Sequence, residues 1–334
     1  MTEPIRRIHG KGRMQALNGA TWLLAAGVVL WQLAVGGWQG RGTVFSDEPR
    51  EGSTQGDAAT KDADPPREWS TGQHSLVVAG IERSVWLDVP ADLQPGAPLV
   101  LVFHGYTDTA EKFRTTAGFV PLVNRHGFVA AYPQGTRDSK GNTFFNVGYA
   151  FHADSQVDDV ALVATITDRL VRDLKIDPRK VFATGMSNGG DMSYFLAAQP
   201  QPIVRAIAPV AGTMMTSWGE RFVPASRLSV LHVHGTDDTV TRWAGDPENR
   251  DGWGAYLSVD SVLGRWTQGM KLETSNVQQL DARTQLHRWT TTADSTEVRL
   301  YRIEGGGHEW PIHLGDAQQT TAEAIWQFFQ THVD

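Results

Sequence analysis

Gly185-Met186-Ser187-Asn188-Gly189 sets a serine inside a Gly-x-Ser-x-Gly pentapeptide. Apolar, β-prone residues Val181–Thr184 precede it, and Asp191–Ala198 can carry a helix after it. A serine on so tight a strand-to-helix turn is pushed out of the sheet, where it can serve as a nucleophile. Glycines flank it because side chains there would collide with the neighbouring strand or helix. A serine hydroxyl is a weak nucleophile at neutral pH. It needs a base within hydrogen-bond reach, a carboxylate to fix the base's tautomer, and N–H donors for the oxyanion.

Those partners stand at the ends of other apolar runs. Leu99–Phe103 ends in His104-Gly105-Tyr106-Thr107, and Leu231–Val233 ends in His234-Gly235-Thr236-Asp237-Asp238. Leu300–Ile303 ends in Gly305-Gly306-Gly307-His308-Glu309-Trp310-Pro311. The chain order is therefore Ser, Asp, His, which is the order of an α/β-hydrolase. His308 is the candidate base, and the Asp237/Asp238 pair offers the acid. Asn188 supplies one oxyanion donor from its backbone, and the loop at Tyr106 the other. Trp310, beside the base, is a candidate substrate-contacting ring. His104 reads as a residue that holds its loop through hydrogen bonds. His232 and His234 share one face of a strand, as metal ligands do, but no third ligand lies at close spacing. We expect no metal and no organic cofactor.

The elements that must position these groups alternate. Strand-like runs are His74–Ala79, Ser84–Val89, Pro98–Phe103, Phe128–Tyr132, Lys180–Thr184, Arg205–Val210, Ser229–His234 and Glu297–Ile303. Helical spacing is clearest over Val157–Leu174, stopped by Asp177-Pro178, and again over Ala322–His332. Alternation of this kind predicts an α/β fold, a mostly parallel central sheet with helices on both faces. Ligands bind such sheets at the carboxyl ends of the strands.

Composition narrows the function classes. The chain has 334 residues, 40% hydrophobic and 20% charged, enough for one large core without disulfides. It has no cysteine, which excludes thiol catalysis and cysteine-ligated metal sites. Its formal charge is −7. Residues 1–13 carry Arg6, Arg7, Lys11 and Arg13 against Glu3, a local +3 that leaves −10 for the rest. An acidic body disfavours nucleic acid.

From Ala16 to Trp38 the chain carries no charge, and Trp22, Trp31 and Trp38 lie near the ends or upper part of the run. About 20 apolar residues span the hydrocarbon layer. The basic residues precede the run, so the bulk is expected on the extracytoplasmic side. Residues 1–38 read as a membrane anchor or as a signal peptide, with Ala34-Val35-Gly36 as a small-x-small site. Residues 39–66 are polar and rich in Gly, Ser, Asp and Pro, a flexible tether. Residues 67–334 make the catalytic domain.

Seven ordered motifs resemble those of the polyhydroxybutyrate depolymerase-like esterases, an exported α/β-hydrolase family that includes feruloyl and acetylxylan esterases. They are Leu99–Tyr106, Ala131–Gly135, Val157–Val160, Ala183–Gly190, Ala208–Gly212, His232–Asp238 and Glu304–Pro311. The resemblance implies Ser187 as nucleophile and His308 as base, and the family's His-Gly-Thr-x-Asp pattern places the acid at Asp238. It departs from the family at Val240-Thr241-Arg242-Trp243, at Phe145-Asn146-Val147-Gly148 and in lacking cysteines. Trp243 is a second candidate substrate contact, and the segment Trp243–Trp266 can add a wall to the cleft. The expected activity is carboxylic ester hydrolysis through an acyl-enzyme, on a small ester, a polyester or an esterified polysaccharide. A serine peptidase of the same fold and an inactive surface-binding homologue are the alternatives. Oligomeric state is not set by the sequence.

Overall fold

Runs of Val, Ala, Leu and Phe without polar alternation form strands buried on both faces. In a computed structural model, which describes residues 69–224, 228–315 and 319–333, these runs build the centre of the molecule. The chain opens with an antiparallel pair, β1 (Gly72–Val78) and β2 (Ile81–Asp88), and continues into β3 (Leu99–Phe103). Helices α1 (Ala110–Thr116) and α2 (Val120–His126) lead to β4 (Val129–Pro133). A small hairpin follows, β5 (Thr136–Arg137) with β6 (Thr143–Phe144), and then α3 (Asp159–Leu174). β7 (Val181–Met186), α4 (Asn188–Ala197), β8 (Ala206–Val210), the single turn α5 (Thr216–Gly219) and β9 (Ser229–Gly235) come next. The chain closes with α6 (Val259–Gly269), β10 (Thr274–Gln279), β11 (Thr284–Thr290), β12 (Glu297–Ile303) and α7 (Thr321–Gln330).

Ten strands form one sheet in the order β1-β2-β4-β3-β7-β8-β9-β12-β11-β10. The six from β4 to β12 are parallel, and antiparallel pairs extend both edges. Helices α3, α4 and α6 pack on one face, with Leu162, Ile166, Tyr194 and Trp266 fully buried. Helices α1, α2 and α7 pack on the other through Phe113, Leu122, Phe328 and Phe329. This is the expected layered α/β architecture.

Two differences from the sequence reading have local causes. The helix expected from Val157 starts at Asp159, because the Asp158 carboxylate accepts the Ala161 N–H at 2.8 Å and caps it. The β10–β11 hairpin was not foreseen, since Thr274–Gln279 offers one large apolar residue, Val277, which is itself exposed. Buried ion pairing ties the first half together. Arg83 on β2 meets Asp159 at 2.5 Å, and Asp159 also accepts the Asn146 N–H at 2.7 Å.

Among the described residues no helix is long and apolar enough to cross a membrane. The apolar run 16–38, the tether 39–66 and the boundary at 66/67 lie outside the described residues.

Candidate active site

β7 delivers Ser187 to the carboxyl edge of the sheet. Ser187 has φ 54° and ψ −120°, a strained left-handed conformation, and stands as the N-cap of α4. Backbone in such a region persists only where its surroundings enforce it. Here the enforcement is close packing. A Cβ on Gly185 would lie 2.5 Å from the Phe103 carbonyl oxygen, and one on Gly189 would lie 2.1 Å from the same atom. The glycines thus let β3, β7 and α4 approach, and the approach drives the serine outward.

The loops after β9 and β12 bring the candidate acid and base together. His308 Nδ1 lies 2.8 Å from Asp238 Oδ2. Asp238 is buried, and its Oδ1 accepts the N–H groups of Val240 and Thr241, both at 2.8 Å. Oδ2 is thereby left to face the imidazole. Asp237 has no such role. It is bonded to the Thr236 hydroxyl at 3.2 Å, and the Asp237 N–H donates to Gly306 O.

The loop after β3 adjoins the serine, since a Cβ on Gly105 would lie 3.7 Å from Ser187 Cβ. Tyr106 follows, and its hydroxyl donates to Asp138 at 2.6 Å. Asn188 uses its side chain elsewhere, accepting the Phe145 N–H at 2.7 Å and donating to Phe145 O at 3.0 Å. Its backbone N–H belongs to the first turn of α4, where amides have no partner within the helix. His104 is fully buried, 2.7 Å from Gly105 O and accepting the Gly135 N–H at 3.0 Å, so it holds the loop as expected.

A narrow pocket opens beside Ser187, walled by Tyr149, Met215, Trp253 and Tyr256, with Asp191 and Thr213 lining it too. Trp253 and Tyr256 come from the segment expected to add a wall. Tyr149 and Asp191 escaped the sequence reading. An acid in the first turn of a helix is an ordinary feature, because the dipole favours it, so Asp191 carries no local signal of its role. It accepts the Tyr149 hydroxyl and the Thr213 N–H, each at 2.6 Å. Burial outweighs those bonds and raises its pKa from 3.8 to about 7.

The raised value has a consequence for stability. Between about pH 4 and pH 7 the folded chain keeps a proton on Asp191 that the unfolded chain has released, so stability falls as pH rises through that window. Asp191→Asn removes this slope. Thermal unfolding of the variant at pH 5 and pH 7.5 is expected to show a smaller drop in Tm than the parent shows. Equal drops would dismiss the buried acid as its source.

Neither tryptophan expected to touch substrate is among the residues lining the pocket beside Ser187. Trp310 turns its ring onto Phe113, with centroids 5.3 Å apart, and toward Phe119 at 6.5 Å. It joins the core on the α1 side instead of lining the Ser187 pocket. Trp243 stands edge-on to His234, donates to Asp260 at 3.1 Å and lies under the Arg302 guanidinium. It borders a separate surface hollow behind Asp238. Among the described residues no cluster of three His, Asp or Glu side chains is placed to hold a metal.

Parallel strands with helices on both faces, and a serine, an acid and a histidine on the carboxyl-end loops of β7, β9 and β12 in that order, define an α/β-hydrolase fold. The chain belongs to the esterase PHB depolymerase family, whose sequence profile matches residues 83–295. It is 28% identical over 257 residues to a bifunctional acetylxylan esterase/xylanase from Neocallimastix patriciarum, covering 75% of this chain and 33% of that protein. It is 26% identical over 254 residues to poly(3-hydroxyalkanoate) depolymerase C from Paucimonas lemoignei, covering 68% and 58%. The chain thus spans about a third and about three-fifths of the lengths of these two curated relatives. Acetyl xylan esterase from Aspergillus awamori shares the fold, with a TM-score of 0.56 at 14% identity, over 78% of this chain and 99% of that one.

Proposed function

We propose that this chain is a serine carboxylic-ester hydrolase. Ser187 attacks the ester carbonyl while His308 Nε2 takes its proton. Asp238 holds the opposite ring nitrogen, fixes the tautomer and stabilises the imidazolium. The backbone N–H of Asn188 and an N–H of the Tyr106 loop meet the oxyanion. His308 then protonates the leaving alcohol, and the acyl group stays on Ser187. Water, activated by the same imidazole, releases the acid. This sequence of steps uses neither metal nor organic cofactor.

The observation that carries the reading is the union of a strained Ser187 at the end of β7 with the 2.8 Å Asp238–His308 contact two and three strands away. The relatives' names support ester chemistry. The narrow pocket favours a short acyl group. The rings of Tyr106, Phe151 and Trp253 pack edge-to-face beside it, with Phe151 44% exposed, and offer an open aromatic surface to the alcohol part. Polyester and esterified polysaccharide both present such short acyl or bulky alcohol parts. The uncharged run 16–38 behind its basic head supports a site of action outside the cytoplasm, with residues 1–38 as leader or anchor, 39–66 as tether and 67–334 as the catalytic domain.

A fluorophosphonate probe tests the assignment. Labelling at Ser187, located by peptide mass spectrometry, together with hydrolysis of p-nitrophenyl acetate, is the expected outcome. Labelling confined to another residue, or none, would remove Ser187 as nucleophile. Faster cleavage of peptides than of esters would favour a peptidase of the same fold.

A further inference from the structure

His232 and His234 point from β9 into the layer beneath α4, and both are fully buried. They form a chain. His234 Nε2 lies 2.7 Å from the carbonyl oxygen of Thr241. A carbonyl only accepts, so Nε2 carries the proton. The neutral ring then leaves Nδ1 bare, and His232 Nε2 lies 3.0 Å from it. His232 must donate there, which leaves its own Nδ1 bare. That atom lies 2.8 Å from the Tyr194 hydroxyl, which donates to it. Each ring nitrogen has one partner, and the direction of every proton follows from the Thr241 carbonyl.

The chain ends beside the acid. His234 Nε2 is 3.5 Å from Asp238 Oδ2, the oxygen that faces His308. A charged His234 would pair with that carboxylate and compete with His308 for it. Protonating His234 requires a proton on Nδ1, where the His232 N–H already points. His232 would have to reverse, and the Tyr194 hydroxyl would have to turn from donor to acceptor at His232 Nδ1.

We propose that Tyr194 and His232 are positioning residues for the Asp238–His308 pair. They fill Nδ1 of His234 with a donor, hold that ring neutral and reserve the Asp238 charge for His308. The proposal rests on the roles given above to Asp238 and His308. Other charged and titratable groups surround the chain without replacing it. Asp191 faces Tyr194 from the same helix, α4, and Asp238 and His308 face His234 from the strand-end loops. Arg302 of β12 and Asp260 of α6 reach it through Trp243. Burial lowers the pKa of His232 and His234, which agrees with neutral rings.

Nitrogen-15 NMR of the histidine rings tests the proton positions directly in the intact chain. His232 and His234 are expected as neutral Nε2–H tautomers at pH 7, because burial holds both rings below the ordinary histidine range. A His234 proton on Nδ1, or a doubly protonated His234 at pH 7, overturns the proposal. Kinetics test the consequence. His232→Leu is expected to move the acid limb of kcat up by about half to one pH unit, with KM changed much less. His232→Gln, whose amide N–H can still donate to Nδ1, is expected to restore the limb. An unmoved limb in His232→Leu, or no rescue by glutamine, also overturns it. Should His232→Leu fail to fold, Tyr194→Phe and the ring spectra of the parent decide the matter. Loss of all esterase activity in the parent would strike the catalytic reading instead, and the tautomers would still be read.

Discussion

Asp238→Asn is expected to lower kcat for a short-chain ester by about 10⁴-fold while the fold and KM change little. Oδ1 of Asp238 accepts two backbone N–H groups, from Val240 and Thr241. An asparagine must therefore place its carbonyl oxygen there, because an amide nitrogen cannot accept. Its NH₂ then falls where Oδ2 stood, 2.8 Å from His308 Nδ1. A donor facing Nδ1 drives the imidazole proton to Nε2, the nitrogen that must accept from Ser187. The same NH₂ also faces the His234 N–H. The substitution is almost isosteric, so the loss comes from one reversed hydrogen bond. Steady-state kinetics with circular dichroism as the check on folding settles it, with Ser187→Ala as the floor. A loss below about 100-fold would mean that Asp238 does not set the tautomer.

Arg83→Met is expected to destabilise the chain by about 3–5 kcal/mol, because it leaves the Asp159 carboxylate buried without its cation. At this chain size that lowers Tm by about 5–10 °C. Asp159 also receives the Asn146 N–H, so removing the acid outright strands an amide. The informative partner is therefore Asp159→Asn, which keeps an acceptor and discards the charge. Arg83→Met combined with Asp159→Asn should recover most of the loss in thermal unfolding. If the double variant is no more stable than Arg83→Met, the cost lies in lost packing of the arginine stem, not in the stranded charge.

The sheet was legible because its central strands are apolar throughout and its polar residues collect at strand ends. Ser187, His308 and the Asp237/Asp238 pair could be placed by loop order, since each follows an apolar strand-like run, whereas the choice of Asp238 within the pair came from the family's His-Gly-Thr-x-Asp pattern. Side-chain direction was not legible. Trp310 stands two residues from His308 in the chain, yet its ring meets Phe113 and Phe119 on the α1 side. Sequence proximity fixes a backbone neighbourhood and leaves the rotamer open. The lining of the pocket comes from five separate segments, at Tyr149, Ser187 and Asp191, Thr213 and Met215, Val240 and Thr241, and Trp253 and Tyr256. No local pattern links them, because only the tertiary fold brings them together. The paired histidines of β9 resembled half of a metal site. What they make is a run of hydrogen bonds, which alternation on one strand face permits equally well.

Gly235 and Gly306 cross with almost no clearance, since a Cβ on Gly235 would lie 2.1 Å from Gly306 O. Around that crossing Thr236 N–H donates to Ile303 O at 2.9 Å, Asp237 N–H to Gly306 O at 2.9 Å, and Gly305 N–H to the Thr236 hydroxyl at 2.8 Å. The two loops that carry Asp238 and His308 are stitched into one rigid plate. One hydrogen-bonded unit therefore sets the distance between Asp238 and His308, while the separate strand-to-helix turn after β7 sets where Ser187 stands.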